Sequence, residues 1–233
     1  MGSVDPGTFS AGAEGPGACG KQAGVRIAVC DVGLGNLRSV ERALREALRG
    51  RAGDIEVTRD PARVRAADRL VMPGQGAFRD CALALSGPLG EAVRAHVAAE
   101  RPYLGLCLGL QILFESSQEA TASAGLGVLK GHVARLKGGT DPMTGAALKI
   151  PHVGWNTVEP TANRGLLSER AEHFYFVHSF VVVPDDPAVV AGTTEYGDRF
   201  VSAVTRGNLF ACQFHPEKSQ RAGLELLERF LAS

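Results

Sequence analysis

One stretch of this chain has the residue types and spacing of a catalytic nucleophile: Tyr103-Leu104-Gly105-Leu106-Cys107-Leu108-Gly109-Leu110-Gln111. A short apolar strand that runs into Gly-x-Cys-x-Gly and then into a helix sets a thiol at the tip of a sharp, strained turn. Positions two residues either side of such a tip are crowded, and Gly105 and Gly109 relieve that crowding. The tip also faces a helix N-terminus, whose free N–H groups and dipole favour a thiolate. From there the N–H of Leu108 can donate to an oxyanion. The plainer alternative makes Cys107 an apolar filler between two packing glycines. Cys30, Cys81 and Cys212 lack this framing and read as fillers.

A thiol nucleophile works with a base, and the chain has six histidines. His96 falls in a helix and His132 opens a strand, so both read as surface or packing groups. His215 follows the apolar strand Leu209–Phe214 at its carboxyl end, where open α/β sheets carry their sites. Pro216 keeps His215 out of the helical region, and in extended backbone the side chain of Glu217 shares its side. Glu217 can then fix the imidazole tautomer and stabilise the imidazolium, the third role of a triad. Here the plainer alternative is a turn before the last helix with Glu217 solvated.

The elements that must position these groups follow from hydrophobic periodicity. From Val25 onward the chain alternates short apolar runs with helical patterns. Strands are expected at Val25–Cys30, Ile55–Arg59, Arg69–Met72 and Tyr103–Leu106. Helices are expected from Leu37 to Leu48 with Gly50 as the stop, and at Phe78–Leu85, Leu89–Glu100 and Leu108–Ser117. Beyond Gly125 the rhythm turns to β, with strands at Gly131–Leu136, Trp155–Glu159, Phe174–Val183, Ala188–Thr194, Phe200–Thr205 and Leu209–Phe214. Lys137–Ala147 reads as an exposed loop, and Gln220–Leu231 as a closing helix whose Leu224, Leu227 and Leu231 face the core. The fold class is α/β: one doubly wound domain over residues 25–233, a mostly parallel sheet with helices on both faces and extra strands in its second half. Residues 1–24, rich in Gly and Ala, read as a disordered tail.

Composition narrows the function. The chain has 233 residues, 45% of them hydrophobic, and its 25 basic and 25 acidic side chains cancel. Nucleic-acid binders and polybasic membrane proteins show a basic excess that this chain lacks. No apolar run reaches the length of a membrane span. Five scattered cysteines without a CxxC pair do not form a disulfide framework, so a soluble protein of the reducing cytoplasm is expected.

The chain resembles the class I, triad-type glutamine amidotransferases through GLCLGLQ (Gly105–Gln111) and QFHPE (Gln213–Glu217). Within them it is similar to the glutaminase subunits of imidazole glycerol phosphate synthase. That narrower likeness rests on DVGLGNLRSV (Asp31–Val40), PGQGAF (Pro73–Phe78), PHVGWN (Pro151–Asn156), FVHSF (Phe176–Phe180) and Glu217-Lys218-Ser219. The resemblance implies a glutaminase with Cys107 as nucleophile, His215 as acid and base, and Glu217 as orienter. It implies an oxyanion strand at Pro73-Gly74-Gln75-Gly76 acting with Leu108, and glutamine contacts from Gln111, Glu119 and Ser179. It also implies a heterodimer with a (β/α)8-barrel cyclase that receives the ammonia, with Trp155 and Lys218 at the interface, in histidine biosynthesis. No cofactor and no metal are expected. Val32 stands where the resembled family usually carries Tyr, and Phe180 where it often does. The competing readings are an amidotransferase subunit of another synthase, a cysteine peptidase or related hydrolase on the same elbow, and a non-catalytic regulatory partner.

Overall fold

The computed structural model describes residues 1–2, 24–140 and 144–233. The first half runs β1 (Val25–Cys30), α1 (Leu37–Leu48), β2 (Gly53–Thr58), α2 (Pro61–Ala66), β3 (Arg69–Met72), α3 (Phe78–Ala84), α4 (Pro88–Ala98), β4 (Tyr103–Leu106) and α5 (Leu108–Gln111). The second half adds β5 (Ser116–Ser117), β6 (Gly131–Arg135), β7 (His152–Pro160), β8 (Glu172–His178), β9 (Phe180–Pro184), β10 (Val190–Tyr196), β11 (Asp198–Arg206), β12 (Leu209–Cys212) and α6 (Gln220–Ala232).

The sheet order is β2-β1-β3-β4-β12-β11-β10-β7-β8, parallel from β2 to β12 and antiparallel beyond. Side chains alternate across it. Ile27, Val29, Leu104 and Phe210 pack under α1 and α6, whereas Ala28, Cys30, Leu70 and Tyr103 pack under α2, α3, α4 and α5. Helices thus cover both faces, as a buried parallel sheet requires. Among the described residues no helix is long and apolar enough to cross a membrane.

The register between β4 and β12 builds the site. Leu106 lies beside Cys212, so both strands end side by side. One continues into Cys107 and the other into Gln213 and His215.

Three expectations need correction. The helix foreseen over Leu108–Ser117 ends at Gln111. The carbonyls that would continue it are taken from outside: Leu126 N–H donates to Ile112 O, Leu129 N–H to Leu113 O, and Gly125 N–H to Glu115 O. Ile112, Leu113 and Phe114 are buried without a polar face, so the chain threads the core instead of coiling along it. The strand foreseen over Phe174–Val183 breaks at Ser179, because β8 pairs with β7 while β9 pairs with β6 and touches β11. Ser179 sits at that change of partner, its carbonyl accepting from Leu136 N–H at 2.9 Å. Third, Ala188–Thr194 opens with a 3-10 turn, Pro187–Val189, before β10 begins.

Smaller shifts lie at ends. Strand β7 reaches back to His152 and β12 stops at Cys212, whereas α1 keeps its expected bounds, with Arg49 in the left-handed region after Leu48. The expected tail over residues 1–24 falls on positions 3–23, which lie outside the described residues. So do residues 141–143 of the expected loop, whose flanks Thr140 and Ala147 form a bridge.

Candidate active site

Cys107 occupies the tip between β4 and α5 with φ 53 and ψ −100, a conformation that costs free energy for a residue with a side chain. Three contacts hold it there. Its N–H donates to Cys212 O at 2.7 Å, its carbonyl accepts from Leu110 and Gln111, and Gly105 and Gly109 let the neighbouring backbone close in. A Cβ on Gly109 would run into the Met72 carbonyl, and one on Gly105 into the Gly109 carbonyl. The two framing glycines are therefore required by close approach. With only four residues, α5 supplies a weaker dipole at the thiol than the longer expected helix.

Burial separates the cysteines. Cys30 and Cys81, sealed in the core, have their thiols pushed up to about 12, and burial raises Cys212 as well. These three are unreactive packing groups at neutral pH. Cys107 instead lines a cleft of about 430 Å³ together with Gln75, Gly76, Leu108, Gln111, Glu119, Ser179 and Lys218.

Behind Cys107, His215 Nδ1–H donates to Glu217 Oε1 at 2.8 Å, and both side chains are almost fully buried. The pairing does not use the extended backbone expected from the sequence. Pro216–Lys218 forms a 3-10 turn that swings the carboxylate under the ring. His215 is anchored by its own N–H to Tyr175 O at 2.9 Å, and its carbonyl accepts the Ser219 hydroxyl at 2.6 Å. The Glu217 bond fixes the tautomer, so Nε2, which makes no hydrogen bond of normal geometry, is the free nitrogen. Burial works against the imidazolium, but Cys107 and Glu217 outweigh it and raise His215 to about 9. At neutral pH the ring carries a proton that it can give away.

Around the cleft, Gly74 and Leu108 are joined: Leu108 N–H donates to Gly74 O at 3.3 Å. Gln111 donates from Nε2 to Phe180 O at 3.2 Å and to Gln213 Oε1 at 3.1 Å, which leaves its own carbonyl oxygen for a ligand. Glu119 is exposed on the cleft rim and accepts Phe78 N–H at 3.1 Å. Trp155 lies outside the cleft, 47% exposed beside an exposed Val153 on β7. It meets the Tyr175 ring edge-on, and Lys218 Nζ lies 5.8 Å from the centre of that ring. Gly74, His215, Glu217 and Trp155 do not line the cleft; the others do.

Sequence reasoning passed over two features. One is Gln213, fully buried, with Nε2 3.4 Å from Cys107 Sγ. It was visible inside QFHPE, but only the fold gives it a role. The other is a buried chain of side chains. Asn156 Nδ2 lies 3.3 Å from His152 Nε2, His152 Nδ1 lies 3.0 Å from His178 Nε2, and His178 Nδ1 lies 3.0 Å from Phe180 O. The Phe180 carbonyl can only accept, which makes His178 an Nδ1–H donor and His152 the donor to His178 Nε2. Burial lowers His152 to about 4 and His178 to about 3, so both rings are neutral at pH 7.

Comparison with known proteins agrees with this geometry. The family model for "Glutamine amidotransferase class-I" matches residues 29–233. The imidazole glycerol phosphate synthase subunit HisH of Methylococcus capsulatus is 47% identical over 208 residues, spanning 88% of this chain and 95% of that protein. Its counterpart in Nitrosomonas europaea is 48% identical over 210 residues, spanning 88% and 97%. Among solved structures, a glutamine amidotransferase superposes with a TM-score of 0.65 at 21% identity, covering 88% of this chain and 98% of that one. One from Thermotoga maritima superposes with a TM-score of 0.55 at 19% identity, covering 88% and 81%. At those identities the superpositions speak for the fold.

Proposed function

Because the chain belongs to the class-I glutamine amidotransferases, and among them to the glutaminase subunits of imidazole glycerol phosphate synthase, we propose that Cys107, His215 and Glu217 are its catalytic triad. The chain hydrolyses glutamine for histidine biosynthesis and works with a partner subunit. The observation that carries the triad is the strained thiol of Cys107 beside a buried imidazole whose far nitrogen is fixed by Glu217 at 2.8 Å.

The thiolate attacks the side-chain carbonyl carbon of glutamine, and the carbonyl electron pair moves onto oxygen. As the C–N bond breaks, His215 gives its Nε2 proton to the departing nitrogen, which leaves as ammonia, and a glutamyl thioester remains. Neutral His215 then removes a proton from water, the hydroxide adds to the thioester, and the thiolate leaves as glutamate forms. Leu108 N–H would stabilise both oxyanions, joined by a backbone N–H of Gly74-Gln75-Gly76, once its bond to Gly74 opens. The Gln111 carbonyl oxygen, the Glu119 carboxylate and the Ser179 hydroxyl would hold the amino-acid end of the substrate.

The partner we propose is a (β/α)8-barrel cyclase that docks over Trp155 and Lys218. Lys218 and Tyr175 border the cleft while Trp155 stands beside them, so a subunit seated there would cover the exit through which ammonia leaves. Among the described residues, four buried, unpaired thiols suit the cytoplasm as the compartment. The test is product formation by the chain with the cyclase and its nucleotide acceptor. Glutamine should support it with the wild-type chain, and only added ammonium should support it with Cys107→Ser. Glutamine-driven synthesis by Cys107→Ser would overturn the reading.

A further inference from the structure

Gln213 is buried to the last atom and follows the end of β12 directly, so its side chain has one fixed environment. Its backbone N–H is bound to Ser202 O at 2.8 Å. The orientation of its amide is set by a chain of single-sense partners. Phe180 O can only accept, so Gln111 must turn its Nε2 to it at 3.2 Å. That same nitrogen lies 3.1 Å from Gln213, which must therefore present Oε1 there. The remaining end of the amide, Nε2, is left 3.4 Å from Cys107 Sγ.

From this we infer that Gln213 is a further catalytic residue, an N–H donor to the sulfur that stabilises Cys107 as thiolate, both before attack and when the thioester collapses. A sulfur accepts an N–H more strongly as thiolate than as thiol or thioester, so the contact favours the two states in which charge sits on sulfur. It also fixes Gln111, whose second N–H would otherwise be free. Two consecutive residues of one strand end thus grip the nucleophile: Cys212 O takes its N–H, and the Gln213 amide reaches its sulfur.

The inference rests on Cys107 being the nucleophile, and the test separates the two claims. The rate of Cys107 alkylation by iodoacetamide is followed against pH in the full chain, read on the Cys107 peptide by mass spectrometry, beside glutamine kinetics with the partner subunit present. Other titratable groups face this sulfur: His215 with Glu217 behind it, the Cys212 thiol, and His178, Glu119 and Lys218 on the cleft. All are unchanged in the variants, so a shift reports Gln213. In Gln213→Met, similar in length and without a donor, the midpoint of alkylation should rise by about one to two pH units, the worth of one hydrogen bond to a charged group. Its kcat should fall roughly tenfold or more, and KM should rise as Gln111 loosens. Gln213→Leu also lacks a donor and should raise the midpoint by the same amount, because neither variant brings a charge to the sulfur. Should Gln213→Met not fold, Gln213→Leu carries the same comparison. Midpoints unchanged in the folded variants would overturn the role of Gln213 while Cys107→Ser remains inactive. Turnover by Cys107→Ser would overturn the nucleophile itself.

Discussion

The backbone N–H of Leu108 donates to the carbonyl of Gly74 at 3.3 Å, so a donor suited to an oxyanion is occupied within the chain itself. A Cβ on Gly74 would lie 2.7 Å from Leu108 Cβ, which shows how closely the two segments approach. Loss of one oxyanion donor costs about 10²- to 10³-fold in turnover. Glutamate release by the isolated chain should therefore be slower by that order than with the partner subunit and its nucleotide bound. Equal rates would mean that this hydrogen bond does not restrain the reaction.

His215 is held protonated to about pH 9 by Cys107 and Glu217 against the cost of burial. The proton is needed when ammonia departs, so kcat should fall on the alkaline side as pH passes about 9. Glu217→Gln removes one of the charges that raise the ring. Its alkaline limb should move to lower pH, and kcat should drop by about 10²- to 10⁴-fold. A pH–rate profile of both proteins checks this, and a limb that stays in place would exclude Glu217 as the orienter.

His152 and His178 are lowered by burial to about 4 and about 3, so the folded state binds fewer protons than the unfolded chain, whose histidines titrate near 6.5. Their contribution to stability is full above pH 6.5 and is lost as pH falls towards 4 and 3. Each ring should steepen the decline by up to about 1.4 kcal/mol per pH unit. Urea unfolding between neutral and acid pH checks the slope, and replacing His178 with Gln should flatten it.

Trp155 is half exposed and crosses the Tyr175 ring at a steep angle, 6.2 Å between centres. Trp155→Ala should cost the folded chain under about 1 kcal/mol. If Trp155 anchors the cyclase, the same substitution weakens binding by about 2 kcal/mol or more, roughly thirtyfold in Kd. Calorimetric titration against the cyclase gives the answer, and an unchanged Kd would move the interface elsewhere.

The parts of the fold legible in the sequence are those whose signals are local. Strands β1, β3 and β4 end where Asp31, Pro73 and the Gly-x-Cys-x-Gly turn interrupt apolar runs, and the structure keeps those limits. The continuous apolar run Ile112–Phe114 carries no periodicity that tells helix from buried thread, and its carbonyls are claimed by residues 125–129. The break at Ser179 follows from which strands lie alongside, β7 on one side of it and β6 on the other. In the site, Glu217 is within reach of His215 by chain proximity alone. The contacts of Gln213 to Cys107 and Gln111 span 106 and 102 residues, so they exist only once β4 and β12 are neighbours. Of the two positions at which the resemblance led to an expectation of Tyr, Val32 is buried in the core, and Phe180 supplies a backbone carbonyl rather than a hydroxyl.

The central claim is that glutamine is opened on Cys107. The most direct measurement is an acid quench of the complex turning over isotopically labelled glutamine, followed by peptide mapping. The glutamyl label should be found on the peptide that carries Cys107, be absent from those carrying Cys30, Cys81 and Cys212, and vanish in Cys107→Ser along with turnover. A label on any other residue, or glutamate release that survives Cys107→Ser, would contradict the account.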